Sequence, residues 1–244
     1  MIVAQAALET RMLLRNGEQL LLTVIIPSLL LVLFSTVDIV TVPVSATGDA
    51  GRPVDFLAPG VLALAVMSTA FTGQAIATGF ERRYGVLKRL GASPLPRWAL
   101  MAAKTLSVLV TEVLQIVLLT LIALALGWDP RGGAGSVLLL LVLGTAAFSG
   151  LGLLMAGTLK AEATLAAANL VFLLLLVGGG VIVPLDRFPE AAQSVLGLLP
   201  ISALSDGLRD VLQHGASMPW GDLGILAGWA VLGLGAAARF FRWE

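Results

Sequence analysis

Long stretches without a charged residue constrain this chain more than any other feature of its sequence. Four of them cover residues 20–37, 56–80, 132–159 and 163–185. A helix needs about 20 apolar residues to cross the hydrocarbon core of a bilayer, and each stretch is long enough for that. The whole chain is 58% hydrophobic and 12% charged, which is about half the charged share of a soluble domain. A lipid-facing surface explains both observations.

Two further stretches complete a set of six predicted spans. Residues 98–126 are apolar apart from Lys104 and Glu112, and residues 223–238 are short but flanked by aromatic residues suited to the membrane interface. Lys104 is expected to extend toward the nearby head groups. The sequence therefore predicts an all-α membrane protein with one transmembrane domain over 1–244. Its spans are predicted at about 20–38, 56–79, 98–126, 135–158, 163–184 and 221–239.

The region before the last span does not fit a lipid-facing helix, because prolines and charges recur in it. Two short helices near 190–199 and 202–213, re-entrant or lying on the outer face, would give its leucines an apolar partner. A solvent-exposed loop is the alternative. The residues that mark this re-entrant outer segment are Pro184, Pro189, Pro200 and Arg209.

The first residues favour an amphipathic helix at the interface that leads into the first span. Val3, Ala6 and Leu13 fall on one face, with polar residues opposite. A frayed tail is the alternative.

Lys and Arg are unevenly divided between the two ends of the predicted spans. With six spans, eleven lie on the side of both termini and four on the other side. Because basic residues accumulate in cytoplasmic loops, both termini are predicted to be cytoplasmic, in the plasma membrane. The eleven are Arg11, Arg15, Arg82, Arg83, Lys88, Arg89, Arg97, Lys104, Lys160, Arg239 and Arg242, and the four are Arg52, Arg131, Arg187 and Arg209.

The loop between the second and third spans is the most informative segment. Val86, Leu87 and Leu90 are apolar at helical spacing, and Gly91 and Pro94 then end the pattern. This predicts a short amphipathic helix between two membrane helices. A partner protein that moved such a helix would move both spans. A basic loop that meets anionic lipid head groups is an equally good interpretation from the residues alone.

This segment resembles the cytoplasmic loop of the membrane-spanning subunits of bacterial type 2 ABC exporters, including the daunorubicin-resistance type of drug exporter. The similar residues, from position 81 onward, read Glu-Arg-Arg-Tyr-Gly-Val-Leu-Lys-Arg-Leu-Gly-Ala-Ser-Pro-Leu. A second similarity covers 179–190, 199–201 and 206–209, with a glycine-rich span end, an outer proline pair and a Leu-Arg run. The resemblance implies short re-entrant helices before the last span and a coupling helix that docks on an ATPase. The implied ATPase-coupling residues are Glu81, Arg82, Arg83, Gly85, Val86, Leu87, Lys88, Arg89 and Leu90.

The resemblance also implies a division of labour between subunits. The chain lacks a Gly-x-x-x-x-Gly-Lys-Ser/Thr loop, so ATP and Mg²⁺ are expected on a partner ABC ATPase and no cofactor on this chain. A second permease chain, identical or paralogous, would complete the pathway. Expected cargo is a hydrophobic drug, a lipid or a lipid-linked glycan, exported from a bacterial cytoplasm. Membrane lipid is the other expected partner, and nucleic acid is not expected.

Four polar residues inside the spans are candidate pathway residues. Glu112 and Gln115 are one turn apart in the third span, and a carboxylate at that depth is costly and often functional. Hydrogen bonding inside the bundle is the alternative for Glu112. For Gln74 and Asn169, in the second and fifth spans, interhelical hydrogen bonding is the first expectation.

Two other function classes fit less well. An intramembrane enzyme would need a serine with a histidine base or a His-Glu-x-x-His helix, whereas the single histidine, His214, lies in a predicted outer loop. No metal site is expected, because the chain has one histidine and no cysteine. An ion-coupled secondary transporter is the alternative function, with Glu112 as its buried charge.

Overall fold

The computed structural model describes residue 11 and residues 24–36, 52–86, 97–181 and 185–241, without the side chains of residues 97–103 and 186. These residues form helices joined by short turns, and the described part of the chain contains no β-strand. The helices are α1 (Ile26–Thr36), α2 (Pro53–Arg83), α3 (Arg97–Ala125), α4 (Ala134–Thr158), α5 (Ala161–Gly178), α6 (Glu190–Leu196), α7 (Pro200–Leu212) and α8 (Trp220–Phe240).

Five of these helices, α2, α3, α4, α5 and α8, are long and apolar enough to cross a membrane. The chain is therefore a multi-pass membrane protein. The described part of the first predicted span, α1, is a shorter apolar helix, and the rest of that span lies outside the described residues. The predicted N-terminal amphipathic helix also lies outside them, apart from Arg11. The count of six spans stays a prediction.

Helix α2 forms the centre of the bundle. In the most apolar stretch of this helix, 89% of the residues are buried inside the protein. Helices α1, α4, α5 and α7 pack around it. Its middle turns, Met67–Gly73, are π-helical, a rare form that is often found at functional sites. Close packing there depends on Gly152 of α4, where a Cβ atom would lie 2.8 Å from the carbonyl oxygen of Phe71.

Helices α4 and α8 pack closely against each other at glycine residues. A Cβ atom on Gly150 would lie 2.5 Å from the backbone nitrogen of Leu234 and 2.6 Å from the carbonyl carbon of Gly233. Backbone atoms cannot move aside as a flexible side chain can. Only small residues let two membrane helices approach so closely, so this contact fixes how α8 sits on α4.

The region before α8 contains two short helices, α6 and α7, close to the two predicted ones. Pro189 precedes α6 at its N-cap, and Pro200 occupies the first turn of α7, where proline is well tolerated because that N–H has no helical partner. Helix α7 is buried against α2, α4 and α8, with Ile201 and Leu204 fully inside. An exposed loop is therefore wrong for residues 200–212. Pro184 lies outside the described residues.

Candidate functional site: polar contacts inside the helix bundle

Two ends of the bundle can be told apart by their charges. At the end here called the basic end, α2 and α4 finish and α3 and α5 begin. The opposite end carries Arg52, whose guanidinium donates a 2.6 Å hydrogen bond to the carbonyl oxygen of Gly127. Five described basic side chains lie at the basic end, namely Arg82, Arg83, Lys104, Lys160 and Arg239.

A buried ion pair joins α2 to α3 at the basic end. The ammonium of Lys104 donates to Oε2 of Glu81. The side chain of Lys104 is 8% exposed and that of Glu81 is 29% exposed. The prediction that Lys104 extends to the head groups is wrong, because its charge is matched inside the protein by a carboxylate of the neighbouring span. Breaking a buried pair by removing one partner is strongly destabilising, which makes this contact a firm link between the two helices.

The next two residues of α2 reach α4 and α5. The guanidinium of Arg82 donates to the carbonyl oxygen of Leu159, directly after α4, and that of Arg83 donates to Oε1 of Glu162 in the first turn of α5. The Arg83 and Glu162 side chains are 50% and 64% exposed, so this pair adds little stability by itself. Its importance is positional, because it connects the last turn of α2 to the start of α5.

These three contacts are called the basic-end ties: Glu81–Lys104, Arg82–Leu159 and Arg83–Glu162. The resemblance implies that Glu81, Arg82 and Arg83 contact a partner ATPase. In the structure, each of these side chains bonds to another part of the same chain. Their partners were not found from sequence. A signal did exist, because Lys104 and Glu162 lie near predicted span ends on the same side of the membrane as the Glu81 loop.

The chain turns immediately after the ties. Gly85 has a φ of +69°, and a Cβ atom there would find open space within 4 Å. A left-handed backbone of this kind favours glycine. Val86, the last described residue of this segment, is exposed. Leu87, Lys88, Arg89 and Leu90 lie outside the described residues. The predicted coupling helix is therefore described only at its start.

A polar stripe runs along the inner face of α3. Apart from the adjacent pair Thr111 and Glu112, its members follow one another at steps of three or four residues, which places them on one face of a helix. Each is at most 7% exposed. The opposite face of α3 is exposed and carries leucines and valines. The stripe consists of Lys104, Ser107, Thr111, Glu112 and Gln115.

Two of the candidate pathway residues on this stripe bond to other spans. Thr145 of α4 donates a 2.5 Å hydrogen bond to Oε2 of Glu112, and Thr69, in the π-helical segment of α2, donates a 2.8 Å bond to Oε1 of Gln115. The other oxygen of Glu112 is buried without a hydrogen-bond partner. The polar stripe thus joins α3 to α2 and α4 at depth, and it leaves one acceptor unused.

The remaining two candidates differ from expectation. Gln74 is buried, but neither its amide nitrogen nor its amide oxygen has a hydrogen-bond partner among the described residues. Asn169 lies on the exposed face of α5 and makes no hydrogen bond within the described part of the chain. Neither residue therefore makes the expected interhelical hydrogen bond within the described part of the chain, and a role for either in the transport pathway stays a prediction.

Arg209 holds the opposite end of the bundle together. From α7 its guanidinium donates 2.9 Å hydrogen bonds to the carbonyl oxygen of Val181 and to Oδ1 of Asp206, and it lies 4.0 Å from the ring centroid of Phe56 on α2. Burial raises the pKa of the Asp206 carboxyl, and the charge of Arg209 opposes that rise. A planar guanidinium can make these contacts at once, which a lysine ammonium cannot.

The described residues offer no metal centre, since they contain no group of three or more His, Asp or Glu side chains placed to hold an ion. The polar groups instead link helices at two ends and at mid-depth. A model of the family described as "ABC-2 type transporter" matches residues 4–212. The chain belongs to this family.

Membership makes the chain a transmembrane subunit of an ABC transporter and implies an ABC ATPase as its partner. The family's membrane domain has no nucleotide-binding domain of its own, which agrees with the missing P-loop. Membership in this family favours an ABC transporter over the ion-coupled secondary transporter. No curated protein matches the chain.

Proposed function

We propose that this ABC-2 subunit forms the membrane half of an ATP-driven exporter in a bacterial plasma membrane. Its basic end and both termini face the cytoplasm, and a separate ATPase docks on the segment that follows Gly85. Two permease chains and two ATPase subunits make up the transporter. The cargo is a hydrophobic or amphipathic molecule such as a drug, a lipid or a lipid-linked glycan.

The basic-end ties support this proposal. The segment after Gly85 continues directly from the last turn of α2, where Glu81, Arg82 and Arg83 bond to three other parts of the bundle. A force on that segment therefore reaches α3, the end of α4 and the start of α5 together with α2. ATP-driven closure of the ATPase pair would shift the population of the membrane half between its access states through these contacts.

The orientation rests on the charges. Lys and Arg are concentrated at the basic end, and cytoplasmic loops collect such residues. Val86 and Tyr84 are exposed beside this turn, Tyr84 by 66%. A partner protein could cover both side chains as well as the residues that follow.

The test uses the permease reconstituted in vesicles with the ATPase subunit that co-purifies with it. Gly85→Pro, Val86→Asp and Leu87→Asp should each abolish cargo-stimulated ATP hydrolysis and transport while the protein still inserts and folds. Val195→Asp is the matched control, because Val195 is an exposed apolar residue, 65% accessible, in α6. Unchanged transport in the first three variants, or an equal loss in the control, would count against ATPase docking at this segment.

Cargo is identified in the same vesicles. Stimulation of ATP hydrolysis is measured with a cationic drug, a phospholipid and a lipid-linked glycan, each at rising concentration. A saturable increase with one class, together with its appearance on the opposite side of the bilayer, assigns the cargo. If the purified pair hydrolyses ATP but exports none of the three, the hydrophobic cargo class is wrong.

A further inference from the structure

The carboxyl group of Glu112 lies near the middle of α3 with no opposite charge beside it. Glu112 is 3% exposed and lies 15 residues from the first residue of α3 and 13 from the last. The described helices that pack most closely on α3 are α1, α2 and α4. Their charged residues lie only at the two ends of α2, as Asp55 at one end and the run 81–83 at the other.

The nearest cation on α3 itself does not neutralise Glu112. Lys104 is eight residues away, or about 12 Å along the helix axis, and it is already paired with Glu81. An ionised Glu112 would therefore have no counter-charge among the described residues, and buried carboxyl groups in that position take up a proton instead. An ionised carboxylate also accepts several hydrogen bonds, whereas Oε1 of Glu112 is buried without a partner.

The hydrogen bonds of Thr145 indicate where that proton lies. The hydroxyl oxygen of Thr145 is 2.5 Å from Oε2 of Glu112 and 2.8 Å from the carbonyl oxygen of Leu141. A threonine hydroxyl has a single hydrogen, so it can donate fully to only one of these two oxygens. The carbonyl of Leu141 has no hydrogen to give. Both bonds form together when Glu112 donates to Thr145 and Thr145 donates to Leu141.

Threonines that share their hydrogen between two acceptors have a different geometry. Thr36 and Thr158 each lie 2.8 Å from the carbonyl oxygen four residues earlier and 3.2 or 3.3 Å from the one three residues earlier. One of the two distances is long in each case. At Thr145 both distances are short, and 2.5 Å is the lower limit for an O–H···O hydrogen bond. A shared hydrogen therefore does not account for the contacts of Thr145.

We propose that Glu112 is a proton-binding site inside the membrane domain, with the proton held on Oε2 and donated to Thr145. The acid is then the donor in the Glu112–Thr145 bond, whereas an ionised Glu112 would have to accept. The proton removes a charge from mid-depth and joins α3 to α4. Without it, Thr145 could donate to only one of its two acceptors, and an unpaired charge would remain between the helices. The described packing of α3 on α4 is therefore that of the proton-bound protein.

Infrared difference spectroscopy of the permease–ATPase complex at neutral pH tests for the proton directly. Glu112→Gln keeps a donor to Thr145, because the glutamine amide carries hydrogen. The spectrum of the natural complex minus that of this variant should show the C=O stretching band of a protonated carboxylic acid. Glu162→Gln is the matched control, since Glu162 is 64% exposed and paired with Arg83, and its difference spectrum should show only carboxylate bands. Only carboxylate bands for Glu112 would overturn the proposal.

The same band tests the bond to Thr145. In Thr145→Val the acid loses its acceptor, so its C=O band should shift in frequency. Thr111→Val is the control, because Thr111 is buried next to Glu112 in sequence but its hydroxyl donates to the carbonyl oxygen of Ser107. A band that stays unshifted in Thr145→Val, or that shifts equally in both variants, overturns the assignment of the proton to this bond.

Thermal unfolding at different pH values gives an independent measurement. An unfolded glutamate, with an ordinary pKa of about 4.3, has lost its proton at neutral pH, whereas the folded protein keeps one on Glu112. Stability then falls as the pH rises, because the folded state binds more protons than the unfolded state. Glu112→Gln has no such proton to lose, so the melting temperature of the natural protein should fall relative to that of the variant between weakly acidic and neutral pH. A constant difference between the two melting temperatures over this range overturns the proposal.

Discussion

Removal of the Glu81 carboxylate is expected to destabilise the bundle more than removal of the Lys104 ammonium. Glu81→Gln takes away a carboxylate that is paired with Lys104, whose side chain is 8% exposed. Lys104→Met leaves Glu81 with a surplus charge, but that side chain is 29% exposed and can turn toward water. The double variant removes both charges, and it should be more stable than Glu81→Gln alone.

The expected magnitudes follow from the burial of each partner. Breaking a buried ion pair by removing one partner costs about 3 to 5 kcal/mol, and partial exposure reduces that cost. We therefore expect losses of about 3 kcal/mol for Glu81→Gln and about 1.5 kcal/mol for Lys104→Met. The double variant should lose only about 1 kcal/mol, because a neutral amide and a thioether need no counter-charge.

The assay is the free energy of unfolding of the four proteins in mixed micelles, measured by reversible denaturation under one set of conditions. The two single losses together exceed the expected double loss by about 3.5 kcal/mol, which is the predicted coupling energy. Independent sites add to within about 0.5 kcal/mol. If the double variant loses as much unfolding free energy as the two single variants together, Glu81 and Lys104 do not interact. That result would contradict the buried ion pair between α2 and α3.

Three further changes probe the rest of the bundle. Gly150→Ala should lower the melting temperature by several degrees, because its Cβ atom would lie 2.5 Å from a backbone atom of α8. Gly228→Ala is the control, since a Cβ atom there has open space, and its melting temperature should not fall. Thermal unfolding of the two variants tests this difference. Thr145→Val removes the bonded hydroxyl from Glu112 and should cost about 1 to 3 kcal/mol, and pairing it with Glu112→Leu should recover part of that loss in the same denaturation assay. Arg209→Lys should lower the free energy of unfolding by about 2 to 3 kcal/mol, because an ammonium cannot bond to Val181 and Asp206 as the guanidinium does. An unchanged free energy of unfolding would contradict the role of Arg209 at the end opposite the basic end.

The membrane helices could be predicted from the sequence because the thickness of the bilayer sets the number of apolar residues that a span needs. Uncharged stretches of about 20 residues cannot be anything but spans or a buried core, and α3, α4 and α8 lie within one residue of their predicted limits. Helix α5 ends at Gly178, several residues before the predicted limit of its span. Hydropathy alone does not detect a turn made of glycines, because residues 178–180 are as uncharged as the helix before them.

The contacts of the polar residues could not be predicted, because hydropathy gives depth but not the direction in which a side chain points. Lys104 and Asn169 both sit in apolar sequence, yet one is buried in an ion pair and the other faces outward. The face of a helix that turns inward is set by its neighbours. Those neighbours follow from the arrangement of the bundle, in which α3 and α5 pack around the central helix α2.

In the proposed transporter, a partner ATPase is seated on the segment after Gly85 and moves the bundle from there. A benzophenone–maleimide probe attached to Val86→Cys, in a chain with no other cysteine, tests it in the intact complex under ultraviolet light. We predict a cross-link from residue 86 to the ATPase subunit, in a yield that changes when ATP is added, and none from the same probe on Val195→Cys. Cross-links from residue 86 to lipid alone, with the ATPase present and active, would contradict it.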